Sequence, residues 1–311
     1  MFGGTGEVRD GFHVLGSAAV PIYLLDGPEP VLFDGGITCL GGLYVEAVRA
    51  VLGSRSPALL CLTHVHFDHC GAVPRLRRAF PDMKVAGSAR SREILVRPNA
   101  QRLIRDLNRS AADAVHGLDP ALFVDEDFEP FGIDVVLEPD EALSLDGGAT
   151  LRVLHTPGHT WDFLSFHLPE EGILVASEAA GVRHPNGYVV TECLVDFEAY
   201  MTSVRRLALL DAGILCQAHH FVFTDGDVEA FFRQSTRTAL EFHSLVEEVW
   251  EAAGGDFQAT LERIKVLEYD PFPLPRQPEP AYRLNLEARI RSVLRSREKR
   301  VAEGPLSPHK N

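Results

Sequence analysis

The sequence predicts an α/β protein that carries a helical C-terminal extension. Three observations carry the prediction. Short apolar runs such as PVLFD (30–34) and ALLCLT (58–63) stop abruptly at glycine or polar residues, as buried strands do. Segments with apolar residues at helical spacing lie between such runs. From Asp225 onward the strand signals cease and only helical periodicity remains.

The elements follow in order. Phe12 to Leu15 and Ala19 to Leu25 read as strands, and PVLFD as a third that stops at Gly35-Gly36. Gly42 to Leu52 spaces Leu43, Val45, Val48 and Val51 along one helical face, and Gly53 is suited to cap it. Ala58 to Thr63 is a buried strand that runs directly into His64. Ser88 opens a charged helical stretch, Pro98 interrupts it, and Gln101 to Val115 resumes the spacing. Strands are expected at Ile133–Leu137, Thr150–His155, Phe163–Leu168 and Gly172–Ser177, the last two forming a hairpin across Pro169-Glu170-Glu171. Phe197 to Leu210 is helical and Gly213 to Cys216 is a short strand. Helices then follow at Val228–Trp250, Phe257–Val266 and, after a proline-rich joint (271–280), Ala281–Arg300. This divides the chain into a layered domain (1–224), a helical extension (225–303) and a disordered tail (304–311).

Composition narrows the function. The 311 residues carry 30 basic and 44 acidic side chains, a formal charge of −14, which argues against a nucleic-acid binder and against a polybasic membrane-surface protein. No apolar run approaches the ~18–20 residues of a membrane span, and no secretion signal is read at the start, so a soluble cytoplasmic protein is expected. Five cysteines without a CxxC pair make a disulfide framework or a cysteine zinc knuckle a poor fit. Thirteen histidines are the outlier, and they cluster.

The stretch Thr63-His64-Val65-His66-Phe67-Asp68-His69 places three histidines and an aspartate in six positions at the end of a buried strand. Two histidines two apart are common on exposed strands; four ligand-type residues after an apolar strand are not. Imidazole and carboxylate together suit zinc, iron or manganese. Later strands repeat the arrangement. Thr156-Pro157-Gly158-His159-Thr160 follows one strand, Glu178 ends another, and His219-His220 follow a third. A sheet that delivers ligands from several strand ends to one rim builds a single site. A carboxylate at the tip of a buried strand, as at Glu178, is costly unless paired or metal-bound. Cys70 lies beside the motif, but the apolar Gly71-Ala72-Val73 that follows favours a packed thiol over a nucleophile.

The HxHxDH motif, the PGHT turn, the later carboxylate and the final histidine together resemble the metallo-β-lactamase superfamily over roughly residues 12–224. Asp34-Gly35-Gly36 resembles its Asp-x-Gly turn. The resemblance implies an αββα sandwich with two divalent metal ions at one edge. His64, His66 and His159 would hold one ion, Asp68, His69 and His219 the other, and Glu178 would bridge them. It further implies that Asp68 orients the attacking water. His219 is preferred to His220 as the ligand. Asp34, Thr63, Thr160 and Asp162 are candidates to orient the ligands from behind. Within the superfamily the chain is most similar to the quinolone-signal response type of thioesterase. Cys70 after the motif, the insert near 90–116, the segment 196–207 and the helical extension carry that likeness.

A di-metal hydrolase of a small ester, thioester or phosphoester is therefore expected. Glutamate at 178, where the family usually has aspartate, keeps an oxygen-dependent di-iron oxidoreductase open, and the helical extension, as a surface to dock a partner, keeps open a metal-containing regulatory protein. A small-molecule substrate is expected as partner, with neither nucleic acid nor membrane. A homodimer stays open, because the C-terminal helices could pair two copies or pack on their own core. Arginines in the insert (Arg90, Arg92, Arg97, Arg102 and Arg105) are the best local candidates for coenzyme A phosphates, although a solvated helix face is the preferred reading of them.

Overall fold

The computed structural model describes residues 1–115, 123, 126–272 and 279–303. The tail expected at 304–311 and most of the proline-rich joint lie outside the described residues. The chain divides into two compact units. One comprises Met1–His155, Asp162–Ser177 and Asp211–Val228; the other comprises Thr156–Trp161, Glu178–Leu210 and the chain from Glu229.

The first unit is built on two sheets. Seven strands form the first in sequential order: β1 (Gly6–Arg9), β2 (Phe12–Ser17), β3 (Val20–Leu25), β4 (Val31–Phe33), β5 (Leu59–Cys61), β6 (Lys84–Ser88) and β7 (Val135–Leu137). Pairing is antiparallel from β1 to β4 and parallel from β4 to β7. The parallel strands are covered on both faces, which is why their sequences read as unbroken apolar runs. Helices α1 (Gly41–Leu52), α2 (Phe67–Cys70), α3 (Val73–Ala79), α4 (Ala89–Leu95) and α5 (Pro98–Val115) supply the connections between them. The second sheet takes β8 (Ala142–Ser144), β9 (Thr150–His155), β10 (Leu164–Leu168) and β11 (Ile173–Val175). After the short pair β12 (Val182–Arg183) and β13 (Val189–Val190) in the second unit, it is completed by β14 (Ile214–Cys216) and β15 (Val222–Thr224), in the order β15-β14-β11-β10-β9-β8.

Alternation along the strands builds two core layers. Phe12, Val14, Tyr23, Leu25 and Phe33 of the first sheet meet Val153, Phe166, Val175 and Ile214 of the second. Their alternate neighbours, including Ile22, Leu24, Leu32, Leu60 and Val85, pack with Tyr44, Val48, Leu76 and Ile104 of the helices. The expected hairpin forms, with Phe166 opposite Val175 and Leu168 opposite Ile173. Six strands escape the sequence reading (β1, β6, β8, β12, β13 and β15). They are two to five residues long.

In the second unit, α6 (Phe197–Leu207), α7 (Gly226–Ala252), α8 (Phe257–Glu268) and α9 (Glu279–Glu303) carry most of the chain, although α7 begins in the first unit. Asp196 and Asp256 cap α6 and α8 by accepting the amides of Ala199 and Ala259, both at 2.9 Å. Lys299 of α9 binds the same Asp196 at 2.9 Å, and Ser296 binds Glu198 at 2.6 Å, which ties α9 to the start of α6. The helices expected at Val228–Trp250 and Ala281–Arg300 are each a few residues longer at both ends.

Candidate metal centre

In the first unit β4 and β5 are parallel neighbours, so the loops leaving their C-terminal ends lie side by side, where open sheets place ligand sites. Asp34 leaves β4 with a left-handed backbone (φ 61°) and is buried. Its carboxylate accepts the Thr63 amide at 2.8 Å, the Thr63 hydroxyl at 3.0 Å and His69 Nδ1 at 2.8 Å. A carboxylate can only accept, so His69 carries its proton on Nδ1 and its lone pair on Nε2. The Thr63 hydroxyl gives its one proton to Asp34, so its oxygen accepts from His64 Nδ1 at 3.0 Å. His64 is thereby set in the same tautomer. One aspartate orients two histidines, one directly and one through threonine.

Asp162 holds the loop from a second side. It is buried and accepts the Val65 amide at 3.1 Å and the Ser91 hydroxyl at 2.9 Å. The ring of His64 stacks on Phe163 at 4.6 Å and lies 4.5 Å from His66 and 4.4 Å from His69. Of the two adjacent histidines after β14, His219 turns Nε2 toward Asp68 Oδ2, at 3.5 Å. Its Nδ1 donates to the Ala19 carbonyl at 2.7 Å. His69 Nε2 approaches the same Asp68 oxygen at 3.8 Å. Asp68, His69 and His219 each offer one ligand atom within 4.8 Å of the others, as do His64 and His66.

The second unit presents two further candidates. The Pro157-Gly158 turn sets His159: Gly158 has φ +132°, and a Cβ there would lie 2.3 Å from the backbone of Tyr200, so only glycine fits. His159 is buried, and its Nδ1 donates to the Glu192 carbonyl at 2.9 Å. Glu178 is also buried, but the expected strand ends early, at Val175. Ser177 takes a left-handed backbone (φ 48°), which breaks the strand and places Glu178 on a single 3-10 turn, Ser177–Ala180. Thr160 is half-buried beside His159.

The donor chemistry fits divalent cations. His64, His69, His159 and His219 each have Nδ1 committed to an oxygen, which leaves Nε2 as the coordinating atom. Sequence reasoning missed three supporting residues: Ser91, Glu192 and Asn108. Asn108 accepts the Thr38 amide at 2.9 Å and donates to the Phe67 carbonyl at 3.2 Å, which pins α5 to the motif loop. A lone polar residue on an apolar helix face is the available signal for Asn108. Nothing local marks the other two. Cys70 is fully buried with Sγ 3.7 Å from the Val65 carbonyl. Burial, together with Asp68, Asp162 and Asp34, pushes its thiol well above the ordinary range, so it packs and does not attack.

A small pocket within the second unit is lined by Tyr188, Glu192, Tyr269, Phe272, Tyr282 and Asn285. Arg289 and Glu268 form its floor as a buried bidentate pair at 2.9 and 2.6 Å.

The metallo-beta-lactamase superfamily model matches residues 16–219, two thirds of the chain. The chain belongs to that superfamily, and its sheets, flanking helices and clustered ligand-type side chains are those of the family's fold. An atrochrysone carboxyl ACP thioesterase of Aspergillus fumigatus is 24% identical over 258 residues, 77% of this chain and 65% of that protein. One of Paecilomyces divaricatus is 27% identical over 198 residues, 62% of this chain and 49% of that protein. The chain thus spans about half to two thirds of the length of these curated relatives. In structure, a metallo-beta-lactamase family protein of Thermus thermophilus superposes with a TM-score of 0.65 at 21% identity, covering 94% of this chain and 95% of the other. One from Sulfolobus tokodaii gives 0.60 at 18%, covering 92% and 98%. At such identities these two matches establish the fold. Both of these curated relatives are named thioesterases, and the quinolone-signal type stays an expectation. No described helix is long and apolar enough to cross a membrane.

Proposed function

We propose that this protein is a metal-dependent hydrolase of a small acyl thioester. His64, His66 and His159 would hold one divalent ion, and Asp68, His69 and His219 a second, with Glu178 as a further carboxylate ligand. The observation that carries the reading is the set of four imidazoles whose Nδ1 atoms are committed and whose Nε2 atoms are left for coordination. The relatives' names support the thioester class. Zinc and iron both suit the donor set, as does manganese. When bound, the ions supply Lewis acidity toward the thioester carbonyl and acidify water.

The chain's own residues do the rest. Asp68 Oδ2 orients the attacking water and takes its proton. Nε2 of His219 and Nε2 of His69 lie 3.5 and 3.8 Å from that oxygen, close enough for the three donor atoms to face one cation. Asp34 and Thr63 keep two ligands in the coordinating tautomer.

Hydrolysis of S-acyl N-acetylcysteamine substrates tests the proposal. The metal-loaded protein should hydrolyse them, lose activity on dialysis against a chelator, and recover it with zinc or ferrous iron. Hydrolysis that persists without metal, or a loaded protein inert toward every thioester in an aliphatic and aromatic panel, would overturn it.

Asp34→Ala should weaken metal binding by about 10–100-fold, because it releases the imidazole of His69 and the Thr63 hydroxyl behind His64. Competition against a chromophoric chelator measures this. An unchanged affinity would mean that the ligands are oriented by other contacts.

A further inference from the structure

The chain is acidic overall, yet α4 and α5 reverse the sign. Between Ala89 and Arg109 stand six arginines against two acids, Glu93 and Asp106. Arg97 approaches Glu93 at 3.7 Å, and Arg109 pairs with Asp127 at 2.7 and 2.5 Å. Arg90, Arg92 and Arg102 are exposed, and none is ion-paired among the described residues. Two aliphatic side chains of the same segment are exposed as well: Val96 is 66% and Leu103 57% accessible. The same helices bury Leu95 and Ile104 in the core, so Val96 and Leu103 are not needed for packing.

This surface is fixed to the motif loop at two points. Ser91 of α4 and the Val65 amide share Asp162. Asn108 of α5 binds the Phe67 carbonyl. A partner docked on α4 and α5 is therefore held at a defined position relative to His64–His69.

We propose that the outer surface of α4 and α5 docks an acidic acyl carrier domain and so presents its tethered thioester to the motif loop. The inference rests on the thioesterase reading and adds the partner. Unpaired cations interspersed with exposed aliphatic groups complement an acidic amphipathic helix, in which carboxylates and apolar side chains alternate on one face. Coenzyme A offers phosphates to the arginines but gives Val96 and Leu103 nothing to meet. Nucleic acid is disfavoured by the net charge of −14.

The test pairs binding with turnover. Fluorescence anisotropy with a labelled holo acyl carrier protein gives the Kd for the wild type and for R92E/R102E. Charge reversal should weaken binding about tenfold or more, and added salt should weaken the wild type but hardly affect the variant. The kcat/KM for an acyl-carrier substrate should fall in parallel, while that for a short S-acyl N-acetylcysteamine stays unchanged. A melting temperature equal to wild type confirms that the variant is folded. No carrier binding by the wild type, or equal binding by both proteins, overturns the proposal. A defect confined to acyl-CoA turnover also overturns it, since the arginines would then be reading the nucleotide phosphates. Charge-dependent binding with no thioester hydrolysis by the wild type would uphold the docking surface and sink the thioesterase reading instead.

Discussion

Replacement of Asp68 by asparagine is expected to lower kcat/KM on a thioester by about 10²–10⁴-fold, the range for losing a positioned proton acceptor. The side chain is nearly isosteric, so shape is conserved and the change is one of charge. Asparagine Oδ1 still reaches a ligand distance but cannot accept a proton from water, and its amide is a poorer donor to a cation. The contacts at risk are the two imidazoles 3.5 and 3.8 Å from Asp68 Oδ2. Asp68 carries neither of the carboxylates that pin the motif loop, which are Asp34 and Asp162. Thermal stability of the metal-free variant should therefore match the metal-free wild type. Metal analysis should show one ion retained, on His64, His66 and His159, and the second lost. An active variant with full metal content would remove Asp68 from the mechanism. A variant that loses both ions would show that the two sites fill together.

The legibility of this site in the sequence follows from where each constraint lies. The HxHxDH motif concentrates its ligands in one loop, so the residue types alone disclose it. Asp34 is visible as a turn former after an apolar strand, yet its contact with His69 depends on the parallel neighbour pairing of β4 and β5, which spacing cannot specify. Glu192 is invisible for a different reason: His159 uses its backbone carbonyl, a group that every residue has. The misplaced end of β11 shows the same limit. A run of apolar residues continues to Ala176, but the left-handed Ser177 ends the strand, and serine gives no local signal for that backbone. The long strands and helices are legible because burial on one or two faces imposes a period. Short strands are legible where they lie in unbroken apolar runs, as β4, β5 and β11 do; GEVR, KVAGS and ALS are not such runs.

The second large effect lies in the helical unit. Arg289 and Glu268 are both buried and bound bidentately. The Tyr282 hydroxyl donates to Glu268 at 2.7 Å, Tyr188 donates to its other oxygen, and the guanidinium lies 3.9 Å above the Phe242 ring. Glu268→Ala strands a buried cation and two hydroxyls, and should cost about 3–5 kcal/mol, a large part of ordinary domain stability. The melting temperature should drop by on the order of 10 °C. Glu268→Leu with Arg289→Met removes both charges together and should recover most of that loss. The pH dependence has a defined sign. Burial alone would raise the Glu268 carboxyl, but the Arg289 charge and the hydrogen bonds outweigh it and hold the group below its ordinary value. A folded pKa below the unfolded one gives stability that is present above an ordinary glutamate pKa of about 4.3 and is lost as pH falls through the folded value. Wild-type melting temperature should therefore decline on acidification below that point, and the double variant should show a smaller decline. Melting as low as the single variant would mean that the charges specify the fold as well as stabilise it.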